Sequence, residues 1–235
     1  MAKDRANERA IEKYIATLLE TYFGENDANI TADIAKPFVV IRLQNFLPPS
    51  EKVLLKKQEF KHVAETRDLL INGLKPEILK ELGTLIEEVA IELYADWNFE
   101  NKSGLLIAIM KEQDKTKRPA LKWPIETERE ALKEKVIKAS AKSQREPDHI
   151  EIYEVNDSTV LIERIGIMVD IEKELIKNKA LEELRLAKRP LEHKLMDAIN
   201  LEAVISQNIV ELFVDWNFEK DKAYMVLILE PENKQ

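Results

Sequence analysis

The side chains that most often carry chemistry are few and scattered in this sequence. Its three histidines, His62, His149 and His193, fall in different segments, and none stands at the His-x-x-x-His or Glu-x-x-His spacing that aims two ligands at one metal ion. His62, beside Val63, reads as a helix-flank residue. Cysteine is absent, which excludes a thiol nucleophile, a disulfide framework and a zinc site of the Cys type. With five glycines in 235 residues, no G-x-S-x-G, Walker loop or G-x-G-x-x-G cradle is present. A Ser-His-Asp triad has no local signature here either. No catalytic residue, metal ligand or cofactor is assigned, and the expectation is a protein that is not an enzyme.

Two groups of residues remain. Around residues 88–98 and 210–216, apolar and polar residues alternate strictly, as on a half-buried strand. Val89, Ile91, Leu93, Ala95 and Trp97 share one side, with Glu88, Glu92, Tyr94, Asp96 and Asn98 on the other. The second stretch places Val210, Leu212, Val214 and Trp216 inward, with Glu211, Phe213 and Asp215 outward. Same-face carboxylates four residues apart on a strand lie about 13 Å from each other. One such row therefore cannot chelate an ion, although two rows that met could converge on a hard cation. Acids alone on an outward face describe ordinary solvation. An aromatic among them suits an interface, so Glu92, Tyr94, Asp96, Glu211, Phe213 and Asp215 are the candidate partner-binding residues. The second group is the Trp97-Asn98 and Trp216-Asn217 motif, read as structural: Trp closes a core while Asp and Asn side chains bond nearby backbone.

These motifs recur because the chain is a duplication. IELYADWNFE (Ile91–Glu100) returns as VELFVDWNFE (Val210–Glu219), displaced by 119 residues, with Asp-Trp-Asn-Phe-Glu identical. Upstream, VVIRLQNFLPPSEKVLLK (Val39–Lys56) aligns with VLIERIGIMVDIEKELIK (Val160–Lys177) at a displacement of 121. The expected organisation is a first repeat at 1–112, a basic Pro-containing linker at 113–124 and a second, diverged repeat at 125–235. Although the chain carries net charge −8, residues 111–145 hold 11 basic and 6 acidic residues. That segment reads as a solvated linker and helix face, with a nucleic-acid-binding arm as the alternative.

Each repeat reads as helix, hairpin, helix, hairpin. Ala10, Ile11, Tyr14, Ile15, Leu18, Leu19, Tyr22 and Phe23 form one apolar stripe closed by Gly24. Segments 30–34 and 38–43 follow as strands around Pro37. Pro48-Pro49-Ser50 ends the second strand, with Ser50 as a helix N-cap. A long helical face then runs through Phe60, Val63, Ala64, Arg67, Leu70, Ile71, Leu74, Ile78 and Leu82, with a kink or break expected near 72–75 because of Pro76. In the second repeat Leu181, Leu184, Leu191, Leu195 and Ile199 repeat that face around Pro190, and Thr127 with Glu130 fits a capping box opening the first helix. The fold class is α+β: two tandem α-β-β-α-β-β repeats, each a four-stranded antiparallel sheet with helices on one face, related by a pseudo-twofold.

Several of these residues carry a family likeness. VVIRLQNFLPPSEKVLL, the upstream Tyr22–Gly24, Phe60, Arg67 and the Asp-bearing strand of the last hairpin make the first repeat similar to the MpsC-type domain. That family is named after a sodium-translocating, membrane-potential-generating system of bacteria. The second repeat resembles it more weakly, with Lys188 in place of Arg67 and Val-Asp in place of Pro-Pro. The resemblance implies a part in bacterial membrane energetics or in ion or inorganic-carbon uptake. It brings no catalytic residue. The longest apolar runs are far shorter than the ~20 residues of a spanning helix, and the charged start lacks a secretory core. The expectation is a cytoplasmic bacterial accessory or regulatory protein, or one peripheral at the inner membrane face, acting through a protein partner. It would be an intramolecular pseudo-dimer that could also form homodimers. A ligand-sensing pocket between the repeats is the other alternative.

Overall fold

The computed structural model describes residues 2–111, 126–205 and 207–231. The chain divides into two compact units, Met1–Pro119 and Ala120–Gln235. The first contains α1 (Ala2–Phe23), β1 (Asn29–Ala35), β2 (Phe38–Gln44), α2 (Pro49–Lys56), α3 (Phe60–Ile86), β3 (Ala90–Asn98) and β4 (Ser103–Met110). The second contains α4 (Glu126–Ser143), β5 (His149–Asn156), β6 (Thr159–Ile165), α5 (Asp170–Lys177), α6 (Leu181–Ala198), β7 (Ile209–Asn217) and β8 (Lys222–Leu229). Each unit holds one four-stranded antiparallel sheet, in the order β1-β2-β4-β3 or β5-β6-β8-β7. The expected linker lies outside the described residues, and Thr127 does not cap the first helix of the second unit, because α4 already includes Glu126 before it.

Backbone conformation repeats along with sequence. Left-handed residues stand at Asn45 and Gly166, at Gln58 and Lys179, and at Lys102 and Asp221, pairs displaced by 121, 121 and 119 residues. Such conformations are uncommon outside glycine, so their recurrence reflects shared turn geometry. The turn at Gln58 also corrects one expectation. The middle helical segment of each unit is two helices, α2 and α3 or α5 and α6, because the chain turns at Gln58 and Lys179. Ser50 is not the cap: α2 begins at Pro49, with Pro48 at the N-cap.

The break expected near Pro76 does not occur, for α3 is one helix from Phe60 to Ile86. A proline in a helix forfeits the bond its missing N–H would make. Here Ile71 and Leu74 before it, and Ile78 and Leu82 after it, are all buried in one cluster. Gly24 closes α1 as expected, with a φ of +64°.

In the first unit, Ile11, Ile15, Leu18 and Leu19 of α1 meet Ile71, Leu74, Ile78 and Leu82 of α3 over Val39, Ile41, Leu43, Leu93, Ala95, Trp97, Leu106 and Ala108 of the sheet. The second core repeats this with Leu132, Val136 and Ala139 over Val160, Ile162, Val214, Trp216, Met225 and Leu227. Three expected inward residues fail: Val89, Ile91 and Val210 are 61%, 45% and 50% exposed. The ladder shifts register between Ala90 and Glu92 and again between Ile209 and Glu211. A bulge leaves its extra residue unpaired and re-aims its neighbours, so strict alternation starts only after it. Phe60 and Leu191, at helix positions expected inside, are also exposed.

Candidate functional site

Beneath each sheet, where the second strand hands over to the paired helices, lies a buried ion pair. In the first unit Glu51, in the first turn of α2, faces Arg67 on α3. Arg67 is 1% exposed. Its Nε donates to Oε1 and Oε2 of Glu51 at 3.0 and 3.1 Å, and its Nη2 to Oε2 at 2.5 Å. Nη2 also reaches the Phe46 carbonyl at 3.2 Å. The guanidinium lies over Phe46 at 4.2 Å and over Trp97 and Phe99 at 5.0 Å each. Such a planar, delocalised cation suits both the carboxylate fork and the aromatic faces. Burial lowers the Arg67 pKa from its usual value, and the bonds to Glu51 oppose that shift. The Trp97 indole N–H donates to Asp68, the next residue on α3, at 3.0 Å.

The second unit builds the same place with different parts. Lys188 stands for Arg67 and Glu172 for Glu51, joined at 2.6 Å. Lys188 Nζ lies 5.6 Å from the Trp216 ring. Part of the difference comes from one residue at the helix start. Pro48 has no N–H, so both Glu51 oxygens serve Arg67. Its counterpart Val169 does have one, and donates it to Glu172 Oε2 at 3.1 Å. That leaves Oε1 for the point charge of a lysine. Burial holds Lys188 below its usual 10.5, with Glu172 acting in the opposite direction.

A second substitution set is larger. Leu19, Phe23, Leu43 and Ile71 belong to the apolar core of the first unit. At their repeat positions the second unit carries Ser140, Gln144, Arg164 and Glu192. Arg164 Nη1 donates to Ser140 Oγ at 3.1 Å and pairs with Glu192 at 3.1 Å. Gln144 Nε2 donates to Glu192 at 3.1 Å. Arg164, Ser140 and Glu192 are at most 1% exposed. An apolar patch has thus become a polar network.

The six expected partner-binding residues are not on an exposed face. Glu92, Tyr94, Asp96, Glu211, Phe213 and Asp215 are all buried, at 8% exposure or less. Tyr94 donates to Glu92, and Asp215 pairs with Arg185 of α6. The same strand face includes Tyr224, whose hydroxyl donates to Glu163 at 2.6 Å, with Lys222 at 3.0 Å from that carboxylate. Asp96 and Asp215 each accept the following tryptophan amide at 2.8 Å. Asn98 and Asn217 accept the amides of Asn101 and Lys220 at 3.0 and 3.2 Å. Trp97 and Trp216 sit in their cores. One signal of this burial was present in the sequence. The runs 104–110 and 223–229 are continuously apolar, the mark of a strand covered on both faces, and every residue of β4 is buried.

Among the described residues no group of three or more His, Asp or Glu could hold a metal ion. Where the basic 111–145 segment is described, several cations have partners within their own unit. Lys135 donates to the Ile199 and Asn200 carbonyls at 2.9 and 2.6 Å, at the end of α6. Arg129 pairs with Glu151 at 3.2 Å and Lys138 with Glu134 at 3.4 Å.

One accessible apolar place is a sheet edge. β3 borders its sheet, and its start, with the last turns of α3, lines a groove of about 620 Å³ formed by Pro76, Leu79, Gly83, Thr84, Val89 and Ala90 among others. Ile91 and Val210 occupy equivalent bulge positions in the two units and both are exposed.

Searches of curated proteins and of solved structures returned no match. Among the described residues no helix is long and apolar enough to cross a membrane. The model of a family described as "Na+-translocating membrane potential-generating system (MpsC)" matches residues 3–112, a span that ends just past β4 and takes in the Glu51–Arg67 pair. The first unit of this chain is thus similar to the MpsC family.

Proposed function

We propose that this protein works by contact, as a non-enzymatic accessory or regulatory partner of a membrane system for ion translocation or inorganic-carbon uptake. The family match of residues 3–112 carries the reading. Because no described helix can span a bilayer, a role in such a system would run through a partner that does. The surface best suited to that contact is the edge of β3, where Val89 and Ile91 are exposed beside the groove. Exposed apolar residues beside an open strand edge can be covered by another chain, with backbone hydrogen bonds and side-chain burial acting together.

The test is co-purification of the tagged chain from gently solubilised membranes of its native host, read by mass spectrometry. A multi-spanning membrane protein should be enriched over control, and Val89→Lys with Ile91→Lys should abolish the enrichment while leaving the circular dichroism unchanged. Absence of any such protein, repeated after crosslinking, would overturn the reading. Enrichment that survives both substitutions would move the contact away from β3.

A further inference from the structure

A guanidinium offers two distinct hydrogen-bonding edges, and Arg67 and Arg164 use them differently. In Arg67 the Nε–Nη2 edge grips the Glu51 carboxylate. In Arg164 the protein's own acceptors, Ser140 and Glu192, are both reached by Nη1. Its Nε and Nη2 have no hydrogen-bond partner, although the residue is 0% exposed. Two parallel N–H donors of a cation are therefore buried and unoccupied. Leaving such donors bare is costly, more so for a charged group than for a neutral one. Close by, the Gln144 Oε1 is also buried without a partner, on the side chain whose amide nitrogen meets Glu192.

Packing does not demand this arrangement. At the four equivalent positions the first unit closes the same space with Leu19, Phe23, Leu43 and Ile71, all buried. The fold thus has an apolar solution, and the second unit departs from it at four contacting positions together.

We propose that the second unit holds a buried site for a small oxyanion, with the Nε–Nη2 edge of Arg164 as its anchor. Two syn oxygens match that edge bidentately, as the Glu51 carboxylate matches it in Arg67. Both a small carboxylate and an inorganic oxyanion have this chemistry. Ser140 and Glu192 hold the guanidinium from its other end and so orient the open edge.

The experiment measures the thermal midpoint of the full chain at constant ionic strength, with sodium formate, acetate, nitrate or phosphate replacing chloride. Formate and acetate probe the carboxylate arm, nitrate and phosphate the inorganic one. At ten times its Kd, a bound anion raises the midpoint by about 3 °C or more for a chain of this size. The transplant variant Ser140→Leu, Gln144→Phe, Arg164→Leu, Glu192→Ile should fold and lose that response. Should the transplant not fold, Arg164→Lys decides, since it keeps the charge and removes the bidentate edge. No shift beyond chloride with any of the four salts would overturn the proposal. So would a shift that persists in Arg164→Lys, or a crystal structure in the stabilising salt with only water on Nε and Nη2.

Discussion

The two units share a topology, a set of left-handed turns and an identical Asp-Trp-Asn-Phe-Glu strand end, yet they are held together differently. Among its described residues the first has one deeply buried cation, Arg67, bonded along one edge and caged by three aromatic rings, beside a mostly apolar helix–sheet core. The second buries Arg164, Arg185, Lys188, Arg189 and Glu192. Apolar packing needs only matching shape, whereas a buried network needs every donor and acceptor matched. One architecture therefore tolerates either solution; in the first unit Nη1 of Arg67 is buried without a hydrogen-bond partner, and in the second the Nε–Nη2 edge of Arg164 is. The match to the MpsC family model falls on the apolar unit.

The comparison can be broken most severely at the shared ion pair. Arg67→Ala leaves Glu51 buried beside nothing and should cost the first unit about 3–5 kcal/mol, the usual loss when one partner of a buried pair is removed. Lys188→Ala should cost the second unit less, since Lys188 makes a single bond to a carboxylate that also caps its own helix. Hydrogen exchange read on peptides from each unit separates the two losses. Equal losses would mean that the extra bonds and rings around Arg67 contribute nothing.

A smaller effect is expected where a strand faces the repeated tryptophan. Gly104 stands opposite Trp97, and a Cβ there would lie 2.6 Å from the indole ring. Its counterpart opposite Trp216 is Ala223, and Trp216 stacks on Phe218 with ring centroids 5.9 Å apart. Overpacking predicts that Gly104→Ala costs about 1–3 kcal/mol. Ala223→Gly should cost about 1 kcal/mol or less. Urea unfolding curves of the two variants test this, and a neutral Gly104→Ala would show that Trp97 is free to move.

The smallest difference should appear as a pH slope. Burial holds Lys188 below 10.5, so between its folded-state value and 10.5 the unfolded chain binds more protons than the folded one. Stability from this group therefore rises with pH across that window, its penalty being present in full below the folded-state value and gone above 10.5. Lys188→Arg does not titrate there. Wild type should gain on this variant as pH rises toward 10.5, in unfolding midpoints measured side by side. A pH-independent difference would remove Lys188 from the account.

What could be read from the chain itself were the features set by local periodicity. The duplication, the amphipathic α1 ending at Gly24, the two hairpins of each repeat and the antiparallel α+β class all follow from spacing and turn residues. The Glu51–Arg67 partnership was half legible, for both residues lay in the segments that carry the family likeness, but nothing in their spacing joined them. Three matters were decided only in the folded molecule. The bulges at Ile91 and Val210 reversed the exposure of the strand starts, because a single extra residue shifts the register of everything before it. Glu92, Tyr94, Asp96 and their counterparts are buried in the folded chain, which alternation along one strand cannot reveal. The polar network of Ser140, Gln144, Arg164 and Glu192 drew its members from three elements far apart in sequence. Side chains that meet only through the topology leave no pattern along the chain, and so their chemistry exists only in three dimensions.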